Sequence, residues 1–202
     1  MNGKKNRYIG GCMKKEIEAR LLDVDVESFR KKLEDNNAIF VGDWLQMRYC
    51  YDFNPPEKNR WIRLRTNGQD ATLTIKEKNS DKIDGTSESE VWVSDFEETD
   101  RILNKLGYEA RSKQENRRIR YILDGVEIDI DMWPMIPSYI EFEATDENAI
   151  RRCVKKLGVD FESLVTLDVQ SVYKHYGIDV VKIPVLSLEE NRKNNDVEMS
   201  HK

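Results

Sequence analysis

The chain has 202 residues, 39% hydrophobic and 35% charged, with 33 Lys and Arg against 38 Asp and Glu for a net charge of -5. That length suits one domain with tails and a core of useful size, whereas the acidic balance leaves no basic footprint for duplex nucleic acid, so any anion must be captured locally. Cys12, Cys50 and Cys153 lack disulfide-framework parity and zinc-site spacing, no apolar run reaches the roughly 20 residues of a membrane span, and the first residues hold no signal-peptide core; a reducing, cytoplasmic setting away from membranes is the expectation.

Residues 1–12, polar and glycine-containing, read as a flexible tail before a folded unit over 13–185. The first predicted strand is Lys15 to Leu21. Strand side chains alternate, so Glu16, Glu18 and Arg20 share one face while Ile17, Ala19 and Leu21 share the other. Two carboxylates and a guanidinium on one wall suit a hard cation together with an anion; the plainer alternative is a solvated face with an internal salt ladder. Val26, Phe29 and Leu33 then recur at helical spacing behind Asp25 as N-cap, which predicts a short amphipathic helix over the apolar side of the sheet. Residues 38–53 read as two extended pieces, the second alternating Leu45, Met47, Tyr49, Tyr51 and Phe53 against Gln46, Arg48, Cys50 and Asp52, until Pro55-Pro56 ends it.

Trp61 to Lys78 is the clearest hairpin, with Asn67-Gly68 as a tight two-residue turn. Arg63 and Arg65 share a face of its first arm, and Thr72, Thr74, Lys76 and Lys78 share one of its second. The next strand puts Glu88 and Glu90 together, and a helix follows with a capping box from Ser94 to Glu97, Phe96, Leu103 and Leu106 turned inward, and Gly107 as its stop. Gln114 to Leu123 is a basic strand with Asn116, Arg118 and Arg120 in phase, returned at Asp124-Gly125 as Val126 to Met132, where Asp129 and Asp131 are either tunnel acids or partners of the arginines. After a Trp133-Pro134 loop, Tyr139 to Ala144 carries Glu141 and Glu143 on one face. A helix over about Asp146 to Leu157 buries Ile150, Cys153, Val154 and Leu157, and a last one runs around Asp168 to Tyr176. Residues 186–202 are charged and read as a disordered tail.

Glu-X-Glu strands thus occur three times (Glu16/Glu18, Glu88/Glu90, Glu141/Glu143), alternating with in-phase pairs of cations (Arg63/Arg65, Lys76/Lys78, Arg118/Arg120). An open sheet with its charged face in water is one arrangement. Closing the strands into an antiparallel β-barrel is favoured, because it puts both signs in a lumen, leaves the apolar wall for helices outside and removes exposed edges. Arginine forks match phosphate oxygens, and carboxylates need a divalent cation between themselves and such an anion, so the lumen predicts a metal-polyphosphate ligand.

In this order, Glu16-Ile17-Glu18-Ala19-Arg20, Arg63-Leu64-Arg65, Thr74-Ile75-Lys76, Glu88-Ser89-Glu90, Arg118 with Arg120, and Tyr139-Ile140-Glu141-Phe142-Glu143 resemble the CYTH superfamily over about residues 14–177. These are the triphosphate tunnel metalloenzymes, which include class IV adenylyl cyclases, thiamine triphosphatases and inorganic tripolyphosphatases. The resemblance implies an α+β fold, an eight-stranded antiparallel tunnel with helices outside, and Mg2+ or Mn2+ as cofactor. It implies Glu16, Glu18 and Glu143 as metal carboxylates with Glu90 and Glu141 in support, Arg20, Arg63, Arg65, Lys76, Arg118 and Arg120 on phosphate, and Glu16, Glu18 and Arg20 as the catalytic set.

The family's opening motif usually ends in lysine, and Arg20 stands there instead; a guanidinium binds phosphate but does not serve as a neutral amine base. On the later basic strand two registers are open, Asn116/Arg118 and Arg118/Arg120. The leading expectation is a metal-dependent triphosphatase acting on tripolyphosphate, a nucleoside triphosphate or thiamine triphosphate. A class IV adenylyl cyclase and a non-catalytic triphosphate sensor are the alternatives, and the resemblance makes a homodimer plausible. Core packing is the expectation for Tyr51, boundary packing rather than ring stacking for Trp44 and Trp133, and a surface position for His175.

Overall fold

The computed structural model describes residues 14–188 except 81 and 84, with side chains from Ile17 onward. The expected tails at 1–12 and from 189 on lie outside the described residues. Leu186, placed in the tail by the sequence reading, is buried in a short strand.

Nine strands are described: β1 (Lys14–Leu21), β2 (Ile39–Asp52), β3 (Arg60–Thr66), β4 (Ala71–Lys78), β5 (Thr86–Val93), β6 (Ala110–Leu123), β7 (Val126–Met132), β8 (Tyr139–Ala144) and β9 (Val185–Leu186). The helices are α1 (Val26–Asp35), α2 (Phe96–Lys105), α3 (Glu147–Lys156) and α4 (Val169–His175). The order β2-β3-β4-β5-β1-β8-β7-β6 is antiparallel throughout, and β6 pairs back onto β2, so eight strands close a ring. β9 adds parallel to β6 at Lys113 and Gln114. The α+β barrel expected from alternation is the observed fold, and closure leaves β2 and β6 with partners on both sides.

The apolar phase of the strands faces outward, and helices cover much of it, though Leu45 of β2 and Val91 of β5 stay exposed. Phe29 and Leu33 of α1 and Ile150, Cys153 and Val154 of α3 pack on Ile119, Tyr121, Ile128, Ile130, Ile140 and Phe142. Phe96 and Leu103 of α2 pack on Tyr51, Ile62 and Leu64, so Tyr51 is a core residue as expected; its hydroxyl donates to Asp100 Oδ1 at 2.7 Å. A third cluster joins Val172 and Tyr173 of α4 to Trp133 and Tyr139. Burying each large apolar side chain contributes about 1.5–3 kcal/mol, enough that the helices specify which sheet face is outside.

Every α-helix opens on an aspartate whose side chain accepts from a backbone N–H three residues on: Asp25 from Ser28, Asp95 from Glu98, Asp146 from Ala149 and Asp168 from Ser171. Asp25 is the expected cap. Asp95 corrects Ser94, because a carboxylate one residue later already satisfies the free N–H. Leu106 is the C-cap of α2 and 68% exposed, beyond the last inward turn, so it is no core residue. Residues 39–52 form one continuous strand rather than two pieces, absorbing register shifts at Phe40/Gly42 and Cys50/Tyr51 as bulges. The β3–β4 hairpin is present, but Thr66 pairs with Ala71 across a four-residue connection: Asn67 Oδ1 accepts from the N–H groups of Gln69 and Asp70, which spreads the turn beyond Asn67-Gly68. Among the described residues no helix is long and apolar enough to cross a membrane.

Candidate active site

The charged phase of every strand of the ring converges on the lumen. Arg20, Arg48, Arg63, Lys76, Arg118, Asp129, Asp131 and Glu141 are buried, as are Gln46, Thr72, Thr74 and Asn116. Several of these charges face an opposite charge across the sheet, whereas Arg48 faces Arg65. Arg20 stands opposite Glu141, Arg63 opposite Thr74, Lys76 opposite Glu88, Arg118 opposite Asp131 and Arg120 opposite Asp129.

One half of the lumen is tightly neutralised. Arg118 donates to Asp131 through Nε at 2.8 Å and Nη2 at 2.5 Å, reaches Asp129 at 2.6 Å and Glu141 at 3.3 Å. Arg120 is bidentate to Asp129, both bonds at 2.6 Å, and lies 2.7 Å from Glu127. Asn116 donates to Asp131 Oδ1 at 2.9 Å. Asn116, Arg118 and Arg120 therefore share one face, with Asn116 and Arg118 buried, and Asp129 and Asp131 are partners of the arginines. Arg20 donates to Glu18 at 3.0 Å, to Glu141, and to the backbone carbonyl of Leu167. Burial disfavours its charge, but Glu141 and Glu18 outweigh that and raise its pKa further. Burial likewise pushes the Glu141 carboxyl up, and Arg20 and Arg118 overcome it and hold the group well below the usual carboxylate range.

In the other half the ion pairs described are longer. Arg63 and Arg65 stand 3.4 Å and 3.9 Å from Glu90, Arg63 and Lys76 stand 3.7 Å and 3.8 Å from Glu88, and Glu90 accepts a 2.7 Å bond from Thr74. Arg48 donates to Asn116 Oδ1 at 3.2 Å and lies over the Trp133 ring, 4.4 Å from its centroid. Repulsion from Arg63, with burial and then Arg118 and Arg48, lowers Arg65 to about 9; burial, then Arg63 and Arg118, lowers Arg48 to about 10. Arg63 and Arg118 thus both act against the charge of Arg48 and Arg65, and guanidiniums gathered in this way suit an anion with several oxygens.

Arg63, Arg65, Lys76, Arg118, Arg120 and Arg20 are all brought to this lumen, as are Glu18, Glu90, Glu141 and Glu143. Glu16 of β1 pairs through its backbone with Thr86 of β5; its side chain lies outside the described residues. Glu18 is cross-strand from Glu143, and Glu143 from Glu127. A row of carboxylates on three adjacent strands is an all-oxygen donor set, which suits Mg2+ or Mn2+ and not a softer metal. Among the described residues no three His, Cys, Asp or Glu side chains are already drawn together around a metal position. Glu90 lies within ion-pair distance of Arg63 and Arg65, and Glu141 of Arg20 and Arg118.

Arg48 is the lumen cation that sequence reading did not mark. Its phase, shared with Gln46 and Cys50, was legible, but a single cation among neutral neighbours lacks the paired signature of Arg63/Arg65. Trp133, 3% exposed and edge-on to Tyr173, packs as expected; His175 is exposed as expected. Trp44 is half-buried and, with Trp92, Arg65, Arg118 and Arg120, lines a pocket of about 130 Å³ beside the β3–β4 turn.

The family model of the CYTH domain matches residues 14–171. Among curated proteins none matches the chain. A conserved hypothetical protein of Pyrococcus furiosus superposes with a TM-score of 0.66 at 21% identity, covering 78% of this chain and 99% of its own. A candidate adenylate cyclase of Vibrio parahaemolyticus gives 0.65 at 12% identity, covering 80% and 98%. A Hippeastrum protein, described as a candidate adenylyl cyclase with a dominant triphosphatase activity, gives 0.53 at 16% identity over 80% and 96%. At these identities the likenesses speak to the fold.

Proposed function

Because the chain belongs to the CYTH family, we propose that its tunnel binds a triphosphate and hydrolyses the terminal phosphoanhydride in a metal-dependent reaction. The observation that carries this reading is the gathering of Arg48, Arg63, Arg65 and Arg118 in one lumen, where Arg63 and Arg118 help hold Arg48 and Arg65 below their ordinary value, a repulsion that a multivalent anion would relieve. Arg63, Arg65, Lys76 and Arg118 hold the phosphate chain along the lumen and stabilise charge gathering on the leaving diphosphate as the bond from the terminal phosphorus to the bridging oxygen breaks. Glu16, Glu18 and Glu143 would hold Mg2+ or Mn2+, which supplies charge neutralisation and a more acidic bound water. Arg20 fixes Glu18 and Glu141, while Glu90 and Glu141 fix the phosphate-side cations, so the acids and bases of the tunnel keep one geometry before substrate arrives.

The test is a product-resolved assay with tripolyphosphate, ATP and thiamine triphosphate, each with Mg2+ and with Mn2+. Phosphate release that falls at least about 100-fold in Glu18→Gln supports the reading. Cyclic AMP with pyrophosphate would identify a cyclase instead, and triphosphate binding without turnover a sensor.

A further inference from the structure

Two tryptophans stand beside the phosphate cations without belonging to any hydrophobic core. Neither Trp44 nor Trp92 is part of the three buried clusters, and Trp92 is 66% exposed although its position on β5 continues the inward phase of Glu88 and Glu90. Trp92 pairs across the sheet with Thr72, and Thr72 with Arg65. The Trp44 ring is seated by a backbone device: at Gly42, beside the β2 bulge, a Cβ would come within 2.0 Å of the ring, so the indole rests where only glycine leaves room. Both rings line the pocket that Arg65, Arg118 and Arg120 also line, with Asp70 at its edge.

The chemistry of this pocket changes from its inner wall to its rim. The arginines suit phosphate, whereas indole faces and the exposed Asp70 carboxylate offer nothing to a further phosphate. Indole faces suit a flat ring, and a carboxylate accepts from a ring amine or a sugar hydroxyl. A volume of about 130 Å³ falls short of the roughly 300 Å³ at which pockets enclose whole small molecules, and fits one portion of a ligand whose phosphates lie deeper. Resting on the triphosphate reading above, we propose that Trp44 and Trp92 form an aromatic subsite for a planar heteroaromatic ring, so that the tunnel selects an organic triphosphate over inorganic tripolyphosphate. The ring stacks at the β3–β4 turn and its phosphates run inward past Arg65 and Arg118.

Calorimetric titration of the full chain in EDTA, where a metal-dependent reaction cannot consume the ligand, tests this with ATP, thiamine triphosphate and tripolyphosphate. At least one ring-bearing ligand should bind roughly 5- to 150-fold more tightly than tripolyphosphate, the span of base–aromatic stacking. Trp92→Leu and Trp44→Leu should each shrink that ratio toward one, and whichever of ATP and thiamine triphosphate is preferred identifies the ring. Equal binding of all three ligands, or a preference untouched by both substitutions, overturns the aromatic subsite while tripolyphosphate binding keeps the triphosphate reading standing. If none binds in EDTA, the same ratio is read from kcat/KM with Mg2+ or Mn2+, and absence of turnover there as well overturns both.

Discussion

Arg48 is the residue through which the two halves of the lumen meet. On one side it reaches Asn116, itself bonded to Asp131 in the neutralised half; on the other it is repelled by Arg63. Its guanidinium is charged at neutral pH but held at a cost, so its removal should act in opposite directions on the empty and the filled protein. Arg48→Gln keeps a donor for Asn116 while deleting the charge. The expected outcome is a higher melting temperature without ligand and triphosphate affinity weakened roughly 10- to 150-fold, as for loss of a charged hydrogen bond. Thermal scans with and without tripolyphosphate measure both, and a lower melting temperature in the empty protein would remove Arg48 from the repelled set. Arg20, by contrast, is bonded to Glu18, Glu141 and the Leu167 carbonyl in the same lumen.

At the scale of elements, capping separates two neighbouring residues that sequence reading confused. Asp95→Ala should cost about 1 kcal/mol of stability, and Ser94→Ala within about 0.5 kcal/mol, in urea unfolding; the reverse order would return the cap to Ser94. That confusion shows what alternation and spacing carry. They located every strand of the ring, α1 with Asp25, α3, α4 and the Asp124-Gly125 turn, where φ is 51° and 83°, because each buries one face and a period of two or 3.6 records it. They could not separate adjacent capping residues, see that Asn67 would bond two N–H groups and lengthen its turn, or see that bulges would keep β2 whole. Of the site, in-phase charge pairs marked the lumen, but which acid serves which cation is a matter of barrel geometry. Arg48 and Trp92 went unmarked because one is a lone cation and the other an aromatic, a type that normally signals core.

For the whole molecule, the ion-pair lattice ties stability to pH. The folded Glu141 carboxyl lies below its ordinary value of 4.5 despite burial, because Arg20 and Arg118 favour its charge. A carboxyl lower in the folded than in the unfolded chain stabilises above the unfolded value and loses that contribution as pH falls through the folded one. Melting temperature should therefore decline on acidification below about pH 4.5, and Glu141→Gln should show a shallower decline over the same window. An unchanged slope would mean that Glu141 is not the group protonated. The ring also imposes an order in time. β1 leaves the ribosome first, yet its partner β8 is far along the chain: Arg20 and Glu141 are 121 positions apart. Contacts of such long range form late, so the wall bearing Glu18 and Arg20 has no β8 partner until Tyr139–Ala144 has been synthesised. A chain interrupted before β8 would be left with open strand edges and without the acid pair across that seam. Catalytic competence and closure of the barrel would therefore arrive in the same final step of folding.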